Sequence, residues 1–191
     1  MKRRLAPLAA LALCATALTA CVSPSGETES ARLASAAAMH DDVLERATSK
    51  YDDLQTVVDG AVGYATFDTG VIKILIVGTA SGYGVVVDNA TGDRTIVDNF
   101  SIALGPGIEL SRSNAVIVFH TREALEAALD GEDGWDFGGS AMIGLEVGDV
   151  GGDASTTSIG EQSSSYRDMD YGIGIHASVI WLDSDPDDEL N

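Results

Sequence analysis

Short runs of β-branched and aromatic residues, separated by glycines, begin after Gly60 and continue through most of the remaining chain. These residue types favour strands, and glycine between strands marks turns, bulges or places where two backbones approach closely. Strands are predicted over 61–67, 71–77, 82–87, 94–97, 102–110, 115–119, 138–147 and 171–182. The fold must therefore be built mainly around a sheet.

Two connections between these strands have the composition of hairpins. Residues 88–93 have the side chains of a tight turn. Residues 151–170 are rich in Gly, Ser and Thr, and they predict a hairpin with a loose loop at 163–165.

Two helices are predicted outside the strands. Apolar residues between 31 and 58 recur mostly three or four positions apart, which indicates an amphipathic helix, or two in succession, ending at Gly60. Thr121 begins a short helix over 122–129. Because the elements do not alternate as in a parallel βαβ sheet, the predicted fold class is α+β. Its architecture is a long N-terminal amphipathic helix and one short internal helix, packed on a mainly antiparallel, glycine-rich β-sheet.

The N-terminus has the layout of an export signal. Residues 2–4 are basic, and the apolar stretch that follows is shorter than the roughly 20 residues of a membrane-spanning helix. It ends in Leu18-Thr19-Ala20-Cys21, which resembles the bacterial lipobox. The resemblance implies that residues 1–20 are a cleaved signal peptide and that Cys21 is the lipidation site, with acyl chains on its thiol and amine. The alternative is a plain secreted protein with Cys21 near the cleavage site by chance.

The remainder of the chain is predicted to hold one domain. Cys14 would leave with the leader, so the mature domain would contain no free thiol and no disulfide. Residues 21–30 are the lipidated cysteine and a polar tether that reaches about 30 Å when extended, which predicts that the domain stands clear of the headgroups. The domain spans 31–182, and an acidic, disordered tail spans 183–191.

The charge of the chain excludes some partners. It has 11 basic and 30 acidic residues; without the leader, eight basic residues remain and the net charge is −22. Nucleic acid is excluded, because binding the phosphate backbone depends on Lys and Arg. Attraction to anionic headgroups is also disfavoured, so the predicted membrane attachment is through acyl chains on Cys21. A salt-loving source would produce the same acidic bias without a functional meaning.

No pattern indicates catalysis, a metal ion or another cofactor. The three histidines lack metal-ligand spacing, and His40 lies on the apolar stripe of the predicted helix, which favours a structural role. No helix follows Gly78, Gly82 and Gly84, so they do not form a nucleotide-binding loop. The acidic clusters at 130–136 and 183–188 lack the pattern of a calcium loop. We predict a protein that is not an enzyme and has no cofactor.

The run 71–77 is apolar on both faces of its predicted strand apart from Lys73. The interpretation we favour is a strand covered on both sides, one of them by the long helix. The sharper hypothesis is that one face lines an apolar groove or inserts at a lipid surface, with Lys73 contacting a headgroup. The candidate lipid-contact residues are then Val71, Ile72, Lys73, Ile74 and Ile76.

Several stretches in order along the chain resemble a known family. They are 60–67, 82–92, 115–125, 134–139 and 148–152, and they resemble successive blocks of the SYLF domain, also called the yeast actin-bundling-like lipid-binding domain. The resemblance covers about 31–182 and implies lipid binding, best supported for phosphoinositides in eukaryotic members. Because the N-terminal segment is acidic here, and no SH3 domain is attached, phosphoinositide specificity and actin bundling do not carry over.

These observations predict a non-catalytic bacterial lipoprotein of the cell envelope whose SYLF-like domain binds or organises lipid. It would lie on the periplasmic face of a membrane. The outer membrane is favoured over the inner, because Val22 and Ser23 lack the Asp that retains some lipoproteins. The alternative is an envelope protein–protein interaction module that its lipid merely tethers. A hydrolase acting on envelope material is the third hypothesis.

Overall fold

The computed structural model describes residues 22–130, 140–147, 156–159 and 162–191. The helices in these ranges are α1 (Glu29–Lys50), α2 (Leu54–Gly60) and α3 (Arg122–Asp130), and the strands are β1 (Gly63–Asp88), β2 (Arg94–Phe119), β3 (Ser140–Val147), β4 (Thr156–Ile159) and β5 (Ser163–Pro186). The strands form one antiparallel sheet in the order β1-β2-β5-β3, and β4 also pairs with β5. Since β2 pairs with β5 from end to end, β3 and β4 lie one after the other along the opposite side of β5.

The predicted architecture is wrong in its helices and in its strands. The described residues contain three helices instead of two, because the chain is extended at Tyr51 and the single long helix divides into α1 and α2. The sheet consists mainly of three strands of 26, 26 and 24 residues, where the sequence predicted many short ones. A glycine interrupts the alternation of apolar and polar side chains, but its backbone still pairs with the neighbouring strand. The long strands were therefore predicted as several short ones, divided at their glycines.

Helix α1 is determined by its cap and its apolar side. The Thr28 hydroxyl accepts a hydrogen bond from the Ala31 amide (3.2 Å), as expected of an N-cap residue. Its buried residues recur at three- and four-residue intervals and are Ala36, His40, Val43 and Ala47. They pack with Tyr64, Tyr83 and Val85 of β1 and with Val116 and Val118 of β2. We call this side of the two strands the α1 face.

The other face of β1 and β2 packs on α3. Its cluster contains Ala65, Phe67, Val86, Val97 and Ile117, together with Leu125 of the helix. The Thr121 hydroxyl accepts a hydrogen bond from the Ala124 amide (3.2 Å), so the predicted short helix after Thr121 is confirmed. The tight turn predicted at 88–93 is also confirmed: the Gly92 amide donates to the Asp88 carbonyl (2.7 Å).

Strand β1 folds back on itself. An extended strand of its length would measure about 85 Å, yet its two ends are in contact. A Cβ at Gly82 would overlap the carbonyl oxygen of Asp68, and one at Gly84 would overlap the ring of Phe67. The residues in each contact lie at about equal distances in sequence before and after Leu75. Leu75 has a φ of 62°. The two arms of β1, 63–74 and 77–88, therefore approach each other through the face that packs on α3, which we call the inner face.

Strand β2 bends at the same level as β1. The pairing of β1 with β2 shifts register between Leu75 and Val77, opposite Gly107 and Leu104. Between these two residues lies Gly105, with a φ of 141° that glycine adopts readily. We call the line through 75–77 and 104–107 the fold line. It divides the long strands into two arms that approach each other on the inner face.

Two predictions at the C-terminal end are wrong. Residues 163–165, predicted as a loose loop, are the first residues of β5 and pair with both β2 and β4. The tail predicted to be disordered is part of the fold, because β5 continues to Pro186 and Leu190 is buried in the cluster under α1. The Asn191 side chain donates to the Ile96 carbonyl (2.7 Å) and accepts from the Ile96 amide (2.8 Å).

The polar segment predicted as a free tether also lies on the domain. The Val22 side chain packs over Gly70, where its Cγ2 would lie 3.1 Å from a Cβ added to the glycine. Pro24 is buried, and the Ser25 amide donates to the Ser35 hydroxyl (3.0 Å). The segment predicted as a free tether is therefore packed on the domain from Val22 to Ser25. Cys21 and the signal peptide lie outside the described residues.

Candidate functional site

A patch of exposed apolar side chains surrounds the fold line. Between 41% and 69% of the surface of each of these residues is exposed: Ile74, Leu75, Ile76, Val77, Phe100, Ile102, Leu104, Ile108 and Leu110. We call this set the apolar tip. The patch is continuous across the two strands, because Ile74 pairs with Ile108 and Val77 pairs with Leu104. Soluble monomers seldom expose an apolar patch larger than a few hundred Å², so a patch of this kind indicates a binding surface.

Most of the apolar tip lies on the α1 face. Side chains alternate along a strand, so Ile72 and Ile74 follow Tyr64 and Thr66 on that face, and Val77 precedes Tyr83 on it in the second arm. Near the helix this face is buried core. Toward the fold line it is uncovered, and its residues remain apolar.

The inner face has the opposite character near the fold line. Apart from Val71, its buried side chains there are polar or charged: Lys73, Asn99, Ser101, Glu109, Ser111 and Ser113. Lys73 and Glu109 are register partners on neighbouring strands, and they are 1% and 4% exposed. Burial lowers the pKa of Lys73, while the nearby Glu109 carboxylate raises it.

Hydrogen bonds connect this buried polar cluster to β5. The Ser111 hydroxyl donates to the Glu109 carboxylate (2.6 Å), and the Arg167 guanidinium lies 3.4 Å from the same oxygen. Arg167 also donates from its Nε to the Ser113 hydroxyl (3.1 Å). Charges removed from water need partners of this kind, because an unpaired buried charge costs several kcal/mol.

The two faces together give the tip an inverted polarity, with charged groups inside and apolar groups outside. In water this arrangement is unfavourable on both counts, since exposed apolar surface and buried charge each raise the free energy of the fold. Beside hydrocarbon, the outer surface becomes favourable and the interior stays paired. The inverted polarity is the main structural indication of what the tip contacts.

The structure separates the predicted lipid-contact residues. Ile74 and Ile76 are exposed in the apolar tip, whereas Ile72 is half-buried and Val71 is buried. Lys73 points to the inner face, so it does not reach a headgroup as the hypothesis required. The interpretation that the strand is covered on both faces is wrong for 74–77.

The contribution of β2 to the tip was not predicted from the sequence. Phe100, Ile102 and Leu104 alternate with polar or small residues, and Ile108 and Leu110 flank Glu109. This period of two is the ordinary signal of a strand with one apolar face. It does not distinguish a face that packs on a helix from one that remains uncovered.

Few basic side chains lie in or near the apolar tip. No Lys or Arg other than Lys73 occurs within 71–77 or 100–110. Six of the basic residues form ion pairs: Arg32 with Glu189, Arg46 with Asp42, Lys50 with Asp168, Arg112 with Asp68, Arg122 with Asp88 and Arg167 with Glu109. The two segments of the tip therefore present hydrocarbon surface, and Arg112, two residues beyond Leu110 on the same face, is paired with Asp68.

His40 forms a separate buried cluster under α1. Its Nδ1 lies 2.9 Å from the Thr66 hydroxyl and its Nε2 lies 3.3 Å from the Tyr64 hydroxyl. A neutral imidazole can donate from one nitrogen and accept at the other, which matches these two partners. Burial, followed by the positive charge of Arg94, lowers the pKa of His40 to about 4. The side chain connects α1 to β1, in agreement with the predicted structural role.

Other candidate sites are weak in the described part of the chain. There, no group of three or more His, Cys, Asp or Glu is arranged to hold a metal ion. A cavity between α1 and strands β2 and β5, lined in part by Val43, Tyr51 and Asn114, has room for about one water molecule. It is too small for an organic substrate. Among the same described residues, no helix is both long and apolar enough to span a membrane.

Comparisons with known proteins give one distant relative. No protein-family model matches the chain, so membership of the SYLF family stays a prediction. The chain is 27% identical over 154 residues to a protein of Aeromonas veronii named Beta cell expansion factor A. The match covers 77% of this chain and 56% of that protein, so the chain spans little more than half the length of its relative.

Proposed function

We propose that the protein is a non-catalytic, lipid-anchored envelope protein whose domain binds lipid by placing the apolar tip among acyl chains. The observation that carries the proposal is the inverted polarity of the tip. The exposed residues Ile74, Ile76 and Leu110 lie outside, and Lys73 and Glu109 are buried inside. Anchoring through Cys21, a periplasmic location favouring the outer membrane, and kinship with SYLF domains belong to the same proposal.

The energetics favour such a contact. Nine side chains, each roughly half exposed, would contribute on the order of 1 kcal/mol each on leaving water for hydrocarbon. Within the tip, β1 and β2 stay paired on both sides of the register shift between Leu75 and Val77. Paired backbone groups avoid most of the cost of placing peptide units in a medium that offers no hydrogen bonds.

Co-flotation with vesicles tests lipid binding by the fold itself. A soluble form, residues 22–191, is expected to float with phosphatidylcholine vesicles although it lacks Cys21. The double variant Ile74→Ser/Ile108→Ser should lose most of this binding, because it places two hydroxyls at the centre of the tip. Leu33→Ser is the matched control, since Leu33 is an exposed apolar residue on α1 and is not one of the tip residues. Failure of the unmodified domain to float, or equal floating of both variants, would contradict the proposal.

The alternative function uses the same surface for a protein. An apolar patch of this kind also suits an apolar surface on another envelope protein. If the soluble form ignores vesicles but recovers one reproducible partner from envelopes in mild detergent, and Ile74→Ser/Ile108→Ser abolishes the recovery, the alternative replaces lipid binding.

A further inference from the structure

The described chain begins on the domain surface close to the apolar tip. Val22 is half-buried and packs over Gly70, with its Cγ2 3.1 Å from the position a Cβ would take there. It also packs against the core cluster under α1. Pro24 is buried, and the backbone of Ser25 is hydrogen-bonded to Ser35 of α1. The segment before α1 therefore lies against the fold.

The position of Val22 can be related to the tip through the strand beneath it. Gly70 and Ile74 are on the same face of β1 and four residues apart, which corresponds to about 13 Å. On the neighbouring strand, Gly70 pairs with Arg112, and the next residues on that face are Leu110 and Ile108 of the tip. Val22 thus lies on the α1 face, between the helix and the exposed apolar residues.

A covalent bond places the anchor near this point. Because consecutive Cα atoms lie about 3.8 Å apart, an anchor on Cys21 would join the described chain at Val22, over Gly70 and about 13 Å along β1 from Ile74. From this position the tip reaches the leaflet of its own anchor without an extended tether.

We propose that the apolar tip docks on the same leaflet that holds the acyl chains of Cys21, so that the domain lies tip-down on its own membrane. The proposal rests on the proposed function, since it needs both lipidation of Cys21 and lipid binding by the tip. Anchoring makes docking of the tip an intramolecular event with an effective concentration of about millimolar. A tip that binds free vesicles weakly is then almost fully engaged in the anchored protein.

Fluorescence quenching in proteoliposomes tests the docking geometry. Leu104→Cys supplies a labelling site in the tip, and Thr91→Cys supplies a control in the hairpin turn at the other end of the strands. Each lipidated variant is labelled with a fluorophore and reconstituted in vesicles whose acyl chains carry a quencher. We expect at least a twofold loss of signal at position 104 and little loss at position 91.

A second arrangement distinguishes the two membranes. With the protein anchored in plain vesicles and the quencher only in added free vesicles, position 104 should keep its signal. Insertion of a Gly-Ser linker of about 20 residues between Cys21 and Val22, with a reach of about 25 Å, should allow quenching from the free vesicles.

The outcomes separate the two proposals. Quenching of the unmodified anchored protein by the free vesicles would overturn docking on its own leaflet while leaving lipid binding intact. An unquenched tip in the anchored protein, together with floating of the soluble form, would also overturn the docking proposal alone. No quenching in either arrangement and no floating of the soluble form would overturn the proposed function as well.

Discussion

His40 shows at the scale of one residue how burial selects a protonation state. Its two ring nitrogens lie close to the hydroxyls of Thr66 and Tyr64, and its side chain is 1% exposed. The pKa falls from an ordinary 6.5 to about 4, because burial and the charge of Arg94 both oppose a second proton. In the folded protein the His40 ring is therefore neutral at neutral pH.

This lowered pKa predicts a loss of stability in mild acid. Above about pH 6.5 the ring is neutral in both states and contributes no pH dependence. As the pH falls from 6.5 toward 4, the unfolded chain binds the proton first, so the free energy of unfolding decreases. Between about pH 7.5 and pH 4.5 the expected contribution is about 2.5 kcal/mol.

Urea denaturation of His40→Gln at both pH values checks this prediction. The variant should have a lower free energy of unfolding than the wild type at neutral pH. Between neutral and acid pH, its free energy of unfolding should fall by about 2.5 kcal/mol less than that of the wild type. His120→Gln is the control, because His120 is exposed, and it should retain the wild-type profile. Parallel profiles for wild type and His40→Gln would contradict the assignment.

The side of the sheet that Lys73 faces could not be predicted from the sequence alone. Its place in an apolar run suggested a cation at a headgroup, and it was grouped with Ile74 and Ile76 as a lipid-contact candidate. Alternation along a strand places Lys73 and Ile74 on opposite faces from sequence alone. Which of the two faces is outside depends on how the strand folds back, and this bend buried Lys73 beside Glu109.

At the scale of the element, the folding back of β1 explains its glycines. Gly63, Gly78, Gly82 and Gly84 lie where the two arms approach, and a Cβ at each would meet atoms of the opposite arm or of α3. Glycine between strands indicates turns, bulges or close backbone approach, and close approach is what these four positions require. Their wide spacing gave no indication that one strand would contact itself.

Gly82→Ala should therefore destabilise the fold. Its Cβ would overlap the Asp68 carbonyl oxygen and lie 2.8 Å from the Thr69 Cα, and backbone atoms cannot move aside as a side-chain end can. We expect the free energy of unfolding to fall by at least about 2 kcal/mol. Gly60→Ala is the control, because nothing lies within 4 Å of its Cβ position and it ends α2. It should be neutral or slightly stabilising, and equal effects of the two variants in urea denaturation would contradict the folded-back geometry.

At the scale of the whole molecule, an apolar tip is combined with a strongly acidic body. Residues 21–191 include eight basic and 30 acidic residues, and six of the eight are in ion pairs. In the proposed function the tip draws the protein toward hydrocarbon, while the negative net charge repels an anionic surface. The two effects predict selectivity among lipids.

The soluble form, residues 22–191, should bind neutral vesicles better than anionic ones. Adding about 30% phosphatidylglycerol to phosphatidylcholine vesicles should weaken binding at low salt by several-fold. The difference should shrink at about 1 M salt, because the screening length falls to about 3 Å. Flotation at both salt concentrations measures the effect. Stronger binding to anionic or phosphoinositide-containing vesicles would indicate a cationic contact that the ion pairs argue against.

The sequence by itself determined the local features: the apolar side of α1, the short helix after Thr121, the turn at 88–93, the acidic charge and the alternation of side chains along the strands. Each depends on residues close together in the chain. Only the tertiary structure decided that the long strands are continuous, that they fold at 75–77 and 104–107, and that Val22 and Leu190 belong to the domain. Those outcomes depend on contacts between distant residues, such as Gly82 with Asp68, and they also decide which face of the strands is left uncovered.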